Sequence, residues 1–281
     1  MDWLEDNKIP IGKWVKSLVD WITDNLGWFF DGLSDGLEAM IDGLLWLLQA
    51  PHPFVVIGLV TVLAWVLRRS WMLCAFIVVG LLLIINQGYW EETTETLALV
   101  ISAAVVCMAV GVPLGVAAAH RPRLYMAMRP VLDLMQTIPT FVYLIPALIL
   151  FGLGMVPGLI ATVIFALPAP IRLTHLGVSS TPKPLVEAGE AFGATSWQLL
   201  WKVELPYALP SILAGLTQTI MLSLSMVVIA ALVGADGLGV PTLRALNQVN
   251  IAKGFEVGLA IVLIAIILDR LCRSDDKGPG R

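Results

Sequence analysis

Cysteine is scarce in this sequence, charge is thin, and several signatures of chemistry are missing. Three cysteines occur in 281 residues, Cys74, Cys107 and Cys272. Their spacing is not that of a metal site, and Cys74 and Cys107 stand in apolar runs, where a thiol packs as a small hydrophobe. Charged residues make up 14% of the chain, against about 25% in an ordinary soluble domain. A net charge of −4 provides no basic field for nucleic acid. There is no GxxxxGK followed by Ser or Thr, so the chain has no phosphate-cradling loop of that type and is not its own ATPase in that manner. There is no HExxH, and no nucleophile with its base stands out, which argues against a membrane enzyme. No apolar run holds paired acids or a His–Glu relay, the usual mark of an ion-coupled site. Asp133, Arg172, His175, Glu256 and Asp269 lie near run ends, and Arg172 and His175 read as cytoplasmic anchors. The opening MDWLEDNKIP lacks a basic stretch followed by an apolar one and is not read as a cleaved signal peptide.

What is abundant is apolar. Hydrophobic residues make up 58% of the chain and mean hydropathy is +0.86, the composition of an all-α, polytopic helical membrane protein. Five runs, about 97–119, 135–153, 156–175, 208–233 and 255–271, each suit a span. Two shorter runs, Pro53–Leu67 and Trp71–Ile85, flank Arg68 and Arg69. They are two spans with a cytoplasmic turn, or a re-entrant hairpin. The loop HRPRLYMAMR is basic and reads as inside, NQGYWEETTE is acidic and reads as outside, and the tail RLCRSDDKGPGR ends inside. The resulting expectation is seven spans, with five or six as alternatives, the N-terminus outside and the C-terminus cytoplasmic. Its segments are 1–52, 53–92, 93–272 and a cytoplasmic tail, 273–281.

Residues 1–50 differ from the rest. Ile11, Trp14, Val15, Leu18, Trp21 and Ile22 follow the spacing of one helix face, and Leu26 to Leu48 continue it. Nine acids and three lysines leave this stretch at −6. The pattern predicts an amphipathic helix broken near Gly27. It lies in the membrane interface, or it packs against the rest of the protein. Five prolines, Pro139, Pro146, Pro157, Pro168 and Pro170, punctuate the middle spans, as in broken helices that line a pathway or simply as prolines in membrane helices.

Between two apolar blocks stands EAGEAFGATSWQLLWKVELP, residues 187–206. Glu187 to Phe192 are able to form a short helix that Gly193 ends in the left-handed conformation. Thr195 and Gln198 have the capping-box spacing that starts a second helix. Trp197, Leu200 and Trp201 share a face of that helix, and Pro206 is expected to stop it before the next span. The physical reading is a helix–turn–helix on the cytoplasmic surface, either a docking element or an interfacial helix under the bilayer.

At this point the residues resemble a known pattern. Glu187-Ala188, Gly193, Val203 and Leu205-Pro206 stand at the spacings of the EAA loop of ABC importer permeases, with Gly189 where a second alanine is usual. The text of 135–178 and 204–239 is similar to the permeases that take up glycine betaine, proline betaine and choline. The resemblance implies a type I ABC importer permease with a five-helix core plus extra N-terminal helices in a bacterial inner membrane. It implies a homodimer, two cytoplasmic ATPase subunits holding ATP and Mg, and a periplasmic or tethered binding protein. Glu187, Ala188, Gly193, Leu205 and Pro206 carry over as the ATPase-coupling positions. None of the ten tryptophans falls in the five later runs, so an aromatic cage for a quaternary ammonium is not expected in this chain. A low-affinity polar path is expected instead, with Gln136, Thr137, Thr140, Tyr143, Gln218, Thr219, Ser223, Ser225 and Met226 as candidates, against the alternative that they only join helices. Asp236 and Gly237 are candidates for docking the binding protein. A permease for another small solute such as histidine, and an ion-coupled carrier, are the competing readings.

Overall fold

The computed structural model describes residues 11–272, so residues 1–10 and the tail 273–281 lie outside the described residues. The first element, α1, runs Ile11–Gln49 without interruption, about 58 Å at 1.5 Å per residue. The expected break near Gly27 is absent. One glycine costs about 1 kcal/mol in a helix interior, and the apolar face stays in register across it. Leu37 and Ile41 are buried against Ala98, Ala103, Val156 and Leu159, while Trp14, Trp21 and Trp28 are exposed seven residues apart. Asp20, Asp24, Asp31, Asp35, Glu38 and Asp42 are all exposed. At 100° per residue these six acids share one narrow face, with the tryptophans beside it. The two readings of this segment therefore divide along its length: from Phe30, which meets Phe151, onward the helix packs on the protein, while Trp14, Trp21 and Trp28 before it are exposed.

Helix α2 (Pro53–Arg68) is bent 101° from α1, and α3 (Trp71–Asn86) follows Ser70, whose Oγ accepts from the Leu73 N–H. Then come α4 (Trp90–His120), α5 (Pro122–Thr137), α6 (Thr140–Phe151), α7 (Met155–Ala166), α8 (Pro168–Ser179), α9 (Lys183–Ala191), α10 (Ser196–Leu199), α11 (Leu205–Ala230), α12 (Gly239–Asn247) and α13 (Ile251–Cys272). Among the described residues four stretches are by length and composition able to cross a membrane, Trp90–His120, Met155–Ser179, Ser196–Val233 and Ile251–Cys272, or up to six if the bent pairs α1 with α2 and α5 with α6 each make one span. The expected single span 135–153 is instead split between α5 and α6, which meet at 96°. Pro139 explains the break, because it withholds its N–H and biases Ile138 to extended backbone, ψ 132°.

Long-range contacts sort the turns into two ends. At one end Gln49 Nε2 donates to Thr94 Oγ1 at 2.9 Å, the Leu238 N–H donates to Thr96 Oγ1 at 2.9 Å, and the Gly154 N–H donates to the Val233 carbonyl at 2.9 Å. At the other end Arg68 Nη2 donates to the Leu271 carbonyl at 3.0 Å, and His120 meets Glu204. Helices α2 and α3 thus each run between these two ends, though at 16 residues each they are shorter than the four stretches long enough to cross a membrane.

The core of the bundle is α4, α8 and α11. Small residues let these backbones approach. A Cβ on Gly115 would stand 2.6 Å from Thr174 Cβ and 2.8 Å from the Ile171 carbonyl oxygen. Gly58 on α2 is exposed, with nothing within 4 Å of such a Cβ. Buried hydroxyls bond back to their own helices, Thr219 to Gly215 and Ser223 to Thr219, each at 2.8 Å. The two glycines predict opposite outcomes. Gly115→Ala should lower thermal stability in detergent by about 1–3 kcal/mol, the cost of overpacking. Gly58→Ala should be neutral or stabilising by up to about 1 kcal/mol. Melting curves of the two variants side by side check both.

Candidate functional site

The hairpin between α8 and α11 has the most specific local chemistry in the chain. Helix α9 ends in two crossed bonds, the Gly193 N–H to the Glu190 carbonyl at 2.8 Å and the Ala194 N–H to the Gly189 carbonyl at 3.1 Å. This is a Schellman end with glycine at the left-handed position, φ 77°. Two residues later the Thr195 N–H donates to Gln198 Oε1 at 2.9 Å, and the Gln198 N–H donates to Thr195 Oγ1 at 3.3 Å. The capping box starts α10 as expected.

Pro206 does not stop the helix, contrary to expectation. Residues Leu200–Glu204 form a π turn, and Ser196–Val233 runs on as one 38-residue stretch. The Leu205 N–H bonds to the Leu200 carbonyl, five residues back. That extra residue in the turn shifts the register where proline has no N–H to give, so the chain passes through Pro206 without breaking. The second helix of the hairpin, α10, is therefore continuous with α11.

Glu187, Ala188 and Gly193 are exposed, and Pro206 is too, while Leu205 is half-buried against Val178, Ala208 and Ile212. Gly189, the departure from the EAA pattern, has a packing role. A Cβ there would stand 2.5 Å from Leu199 Cδ2, and Leu199 is buried. The missing side chain leaves a seat for Leu199, which locks α10 onto α9. Glu204 Oε2, on a nearly buried side chain, is 2.9 Å from His120 Nε2, and His120 Nδ1 is 2.9 Å from the Val116 carbonyl. This contact ties the hairpin to the end of α4. Arg172 Nη2 donates to Asp133 Oδ1 at 2.6 Å, and His175 stacks on Tyr125 at 3.7 Å and 6°. Both join α8 to α5, so Arg172 and His175 hold neighbouring helices together as well as standing at a span end.

Phe192 is 93% exposed at the turn, and sequence reasoning passed over it. The available signal was an aromatic residue directly before the C-terminal glycine of an otherwise polar helix. Trp197 and Trp201 are also exposed and meet edge to face at 5.6 Å.

The path candidates separate. Tyr143 Oη donates to the Met135 carbonyl at 2.8 Å and to Leu134 at 3.2 Å, stapling α6 to α5 across their bend. Met226 and Tyr143 share a buried cluster with Leu144, Ala161 and Val233. Ser223 and Thr219 are buried with their hydroxyls turned to the helix. Thr140 and Gln136 are half-buried. Thr137, Gln218 and Ser225 are exposed, the last two a heptad apart on α11. Asp236 is exposed beside Glu91, Glu92 and Glu95. Gly237 is buried, with φ 117°, and a Cβ there would meet Thr96 Oγ1 at 2.7 Å, so it has no face to present.

The hairpin makes a local prediction. Gly193→Ala forces a side chain into left-handed backbone at a cost of about 1–2 kcal/mol. Amide exchange at Phe192–Ala194 should rise about five- to thirty-fold, read by hydrogen exchange and mass spectrometry, with the spans unaffected.

Known proteins are similar to this chain over most of its length. Residues 111–274 match the family model described as binding-protein-dependent transport system inner membrane component. The chain is 45% identical over 272 residues to the glycine betaine/carnitine transport permease protein GbuB of Listeria monocytogenes, covering 96% of each chain. It is 45% identical over 268 residues to the glycine betaine transport system permease protein OpuAB of Bacillus subtilis, covering 95% of this chain and 94% of that one. Among solved structures, an inward-facing MetNI methionine ABC transporter chain aligns with a TM-score of 0.57 and 25% identity, over 63% of this chain and 91% of that chain.

Proposed function

The chain belongs to the binding-protein-dependent transport system inner membrane component family, and on that premise we propose that it is the permease of an importer for glycine betaine and related quaternary ammonium solutes, proline betaine and choline among them. It sits in a bacterial inner membrane with the hairpin end cytoplasmic, the start of α1 outside and the C-terminus inside. Two copies form the path, each docked on a cytoplasmic ATPase subunit that binds ATP and Mg and hydrolyses the ATP. A periplasmic or tethered binding protein delivers the solute to the end that carries Asp236. Relatives at 45% identity that are named for glycine betaine favour this solute over histidine.

The observation that carries the mechanism is the capped hairpin continuous with a span. ATPase closure is a movement of protein surfaces, and a lever transmits it only if it does not bend. The Schellman end, the capping box, Leu199 seated on Gly189 and the π turn through Pro206 remove the soft joints. Glu187, Ala188 and Gly193 form the polar corner of the contact. Phe192 supplies an aromatic anchor, the residue type that dominates buried contacts. His120 and Glu204 pass the displacement to α4. Gln218 and Ser225 form the polar stripe of α11 that faces the path or the second copy.

Reconstitution with the cognate ATPase and binding protein in liposomes tests the whole reading. Glycine betaine should enter only with ATP, ahead of histidine, and uptake driven by an ion gradient without ATP would overturn the assignment. In the same vesicles Glu187→Lys and Phe192→Ala should each reduce uptake at least ten-fold while membrane insertion stays normal. Glu204→Gln should leave the ATPase bound but lower uptake per ATP hydrolysed. Unchanged uptake in all three variants would remove the hairpin from the mechanism.

A further inference from the structure

The contact between His120 and Glu204 carries a chemical requirement beyond its distance. His120 is the last residue of α4 and its side chain is 46% exposed, while the Glu204 side chain, at the end of the π turn, is 12% exposed. His120 Nδ1 is 2.9 Å from the Val116 carbonyl oxygen. A carbonyl only accepts, so Nδ1 carries a hydrogen there. A neutral imidazole has one such hydrogen, and its Nε2 would then turn a lone pair on Glu204 Oε2, 2.9 Å away. Two acceptors do not hold each other at that distance. Glu204 Oε2 accepts no aimed hydrogen bond among the described residues, so a charge has to keep it in place. The other ionisable groups on the elements packed at this joint do not supply that charge. Arg121, Arg123, Lys183 and Lys202 are exposed, as are Glu187, Glu190 and Tyr207, and water screens such groups. Arg172 is engaged with Asp133, and His175 with Tyr125. Among the described residues His120 makes the one ion-pair contact of Glu204, and it does so only as the imidazolium.

We propose that this joint is a proton latch: a proton on His120 Nε2 closes the π turn onto the end of α4, and loss of that proton to the surrounding water releases it. The latch deepens the reading of the hairpin as the ATPase contact, and rests on that reading for the cytoplasm as the side whose pH it senses. The direction follows from the contact. The pair is complete while the ring is charged and the carboxylate is ionised, and it is lost as pH rises and the ring gives up its Nε2 proton. Imidazole is the side chain that changes charge between pH 5 and 8, so modest changes near neutral pH work the latch. The exposed part of the ring gives the proton a route to water. The nearly buried carboxylate then keeps a charge without a partner, which is costly, so Glu204 turns away and the hairpin loses its polar tie to α4.

Nitrogen-15 NMR of the histidine-labelled full chain in nanodiscs reads the proton directly, because the imidazolium and the two neutral tautomers differ in nitrogen shift. The signal missing from His120→Gln identifies His120. Towards acid pH both of its ring nitrogens should carry hydrogen, and towards alkaline pH only Nδ1 should. At about pH 7 the charged fraction should fall about three-fold or more in Glu204→Gln, which keeps the shape of the side chain and removes its charge. A neutral ring with its hydrogen on Nε2, or an equal charged fraction in Glu204→Gln, would overturn the latch. With the cognate ATPase and binding protein added, uptake per ATP hydrolysed should fall about five-fold or more from about pH 6.5 to about pH 8.5 on the hairpin side. His120→Gln, whose amide donates to Glu204 at either pH, should not show that fall. An equal fall in the two proteins would overturn the regulatory role. Wild-type vesicles that take up no solute with ATP at any pH would strike the importer reading instead, and the spectra would still decide the latch.

Discussion

Lipid tails are as apolar as leucine, so a bilayer gives no hydrophobic reward for setting one apolar helix against another. Close packing has to supply the association, and small residues make close packing achievable. That constraint shapes the contact of α4, α8 and α11, where Gly111, Gly115, Gly177 and Gly215 each leave room for a side chain or backbone of the facing helix. Prolines stand in the same places for the same reason. Pro170 packs against both Gly111 and Gly215, so a residue that reads as a helix breaker in the sequence acts as a flat packing surface at the start of α8.

The hairpin is anchored on this core, because it connects α8 to α11, which pack on each other. At its first joint, α9 follows α8 after Ser180, Thr181 and Pro182. At the second, the π turn carries α10 into α11 with no interruption. A π turn inside a helix is an uncommon structure found disproportionately at functional sites. Here its local cause is visible as well, a proline that must be passed without ending the helix. The π turn makes α10 continuous with α11, and Glu204 with His120 joins that stretch to the end of α4.

The N-terminal helix obeys a different constraint. Its acids, tryptophans and aliphatic residues occupy three adjacent faces, water-loving, boundary-loving and apolar. Such a helix satisfies all three only where protein, lipid and water meet. The buried positions Leu37 and Ile41 show which part is satisfied by protein. The exposed Trp14, Trp21 and Trp28 belong to a part that the described chain alone does not cover.

Much of the site was legible because its signals are local. Gly193 as a helix stop and Thr195 with Gln198 as a helix start depend on neighbours within five residues, and backbone geometry enforces them wherever they occur. The apolar runs were legible for the same reason, since each span satisfies its own backbone. What the sequence did not reveal depends on distant partners. Leu199 seated on the gap at Gly189, His120 against Glu204 across 84 positions, and the Tyr143 hydroxyl spent on the Leu134 and Met135 carbonyls have no periodic trace. The sequence determined by itself that the chain is a bundle of membrane helices with a capped hairpin between two apolar blocks, because periodicity, caps and apolar length act at short range. Only the tertiary structure decided that Pro206 continues a helix, that Gly189 is a seat for Leu199, and which polar side chains are buried among the described residues, because each depends on what stands opposite in space.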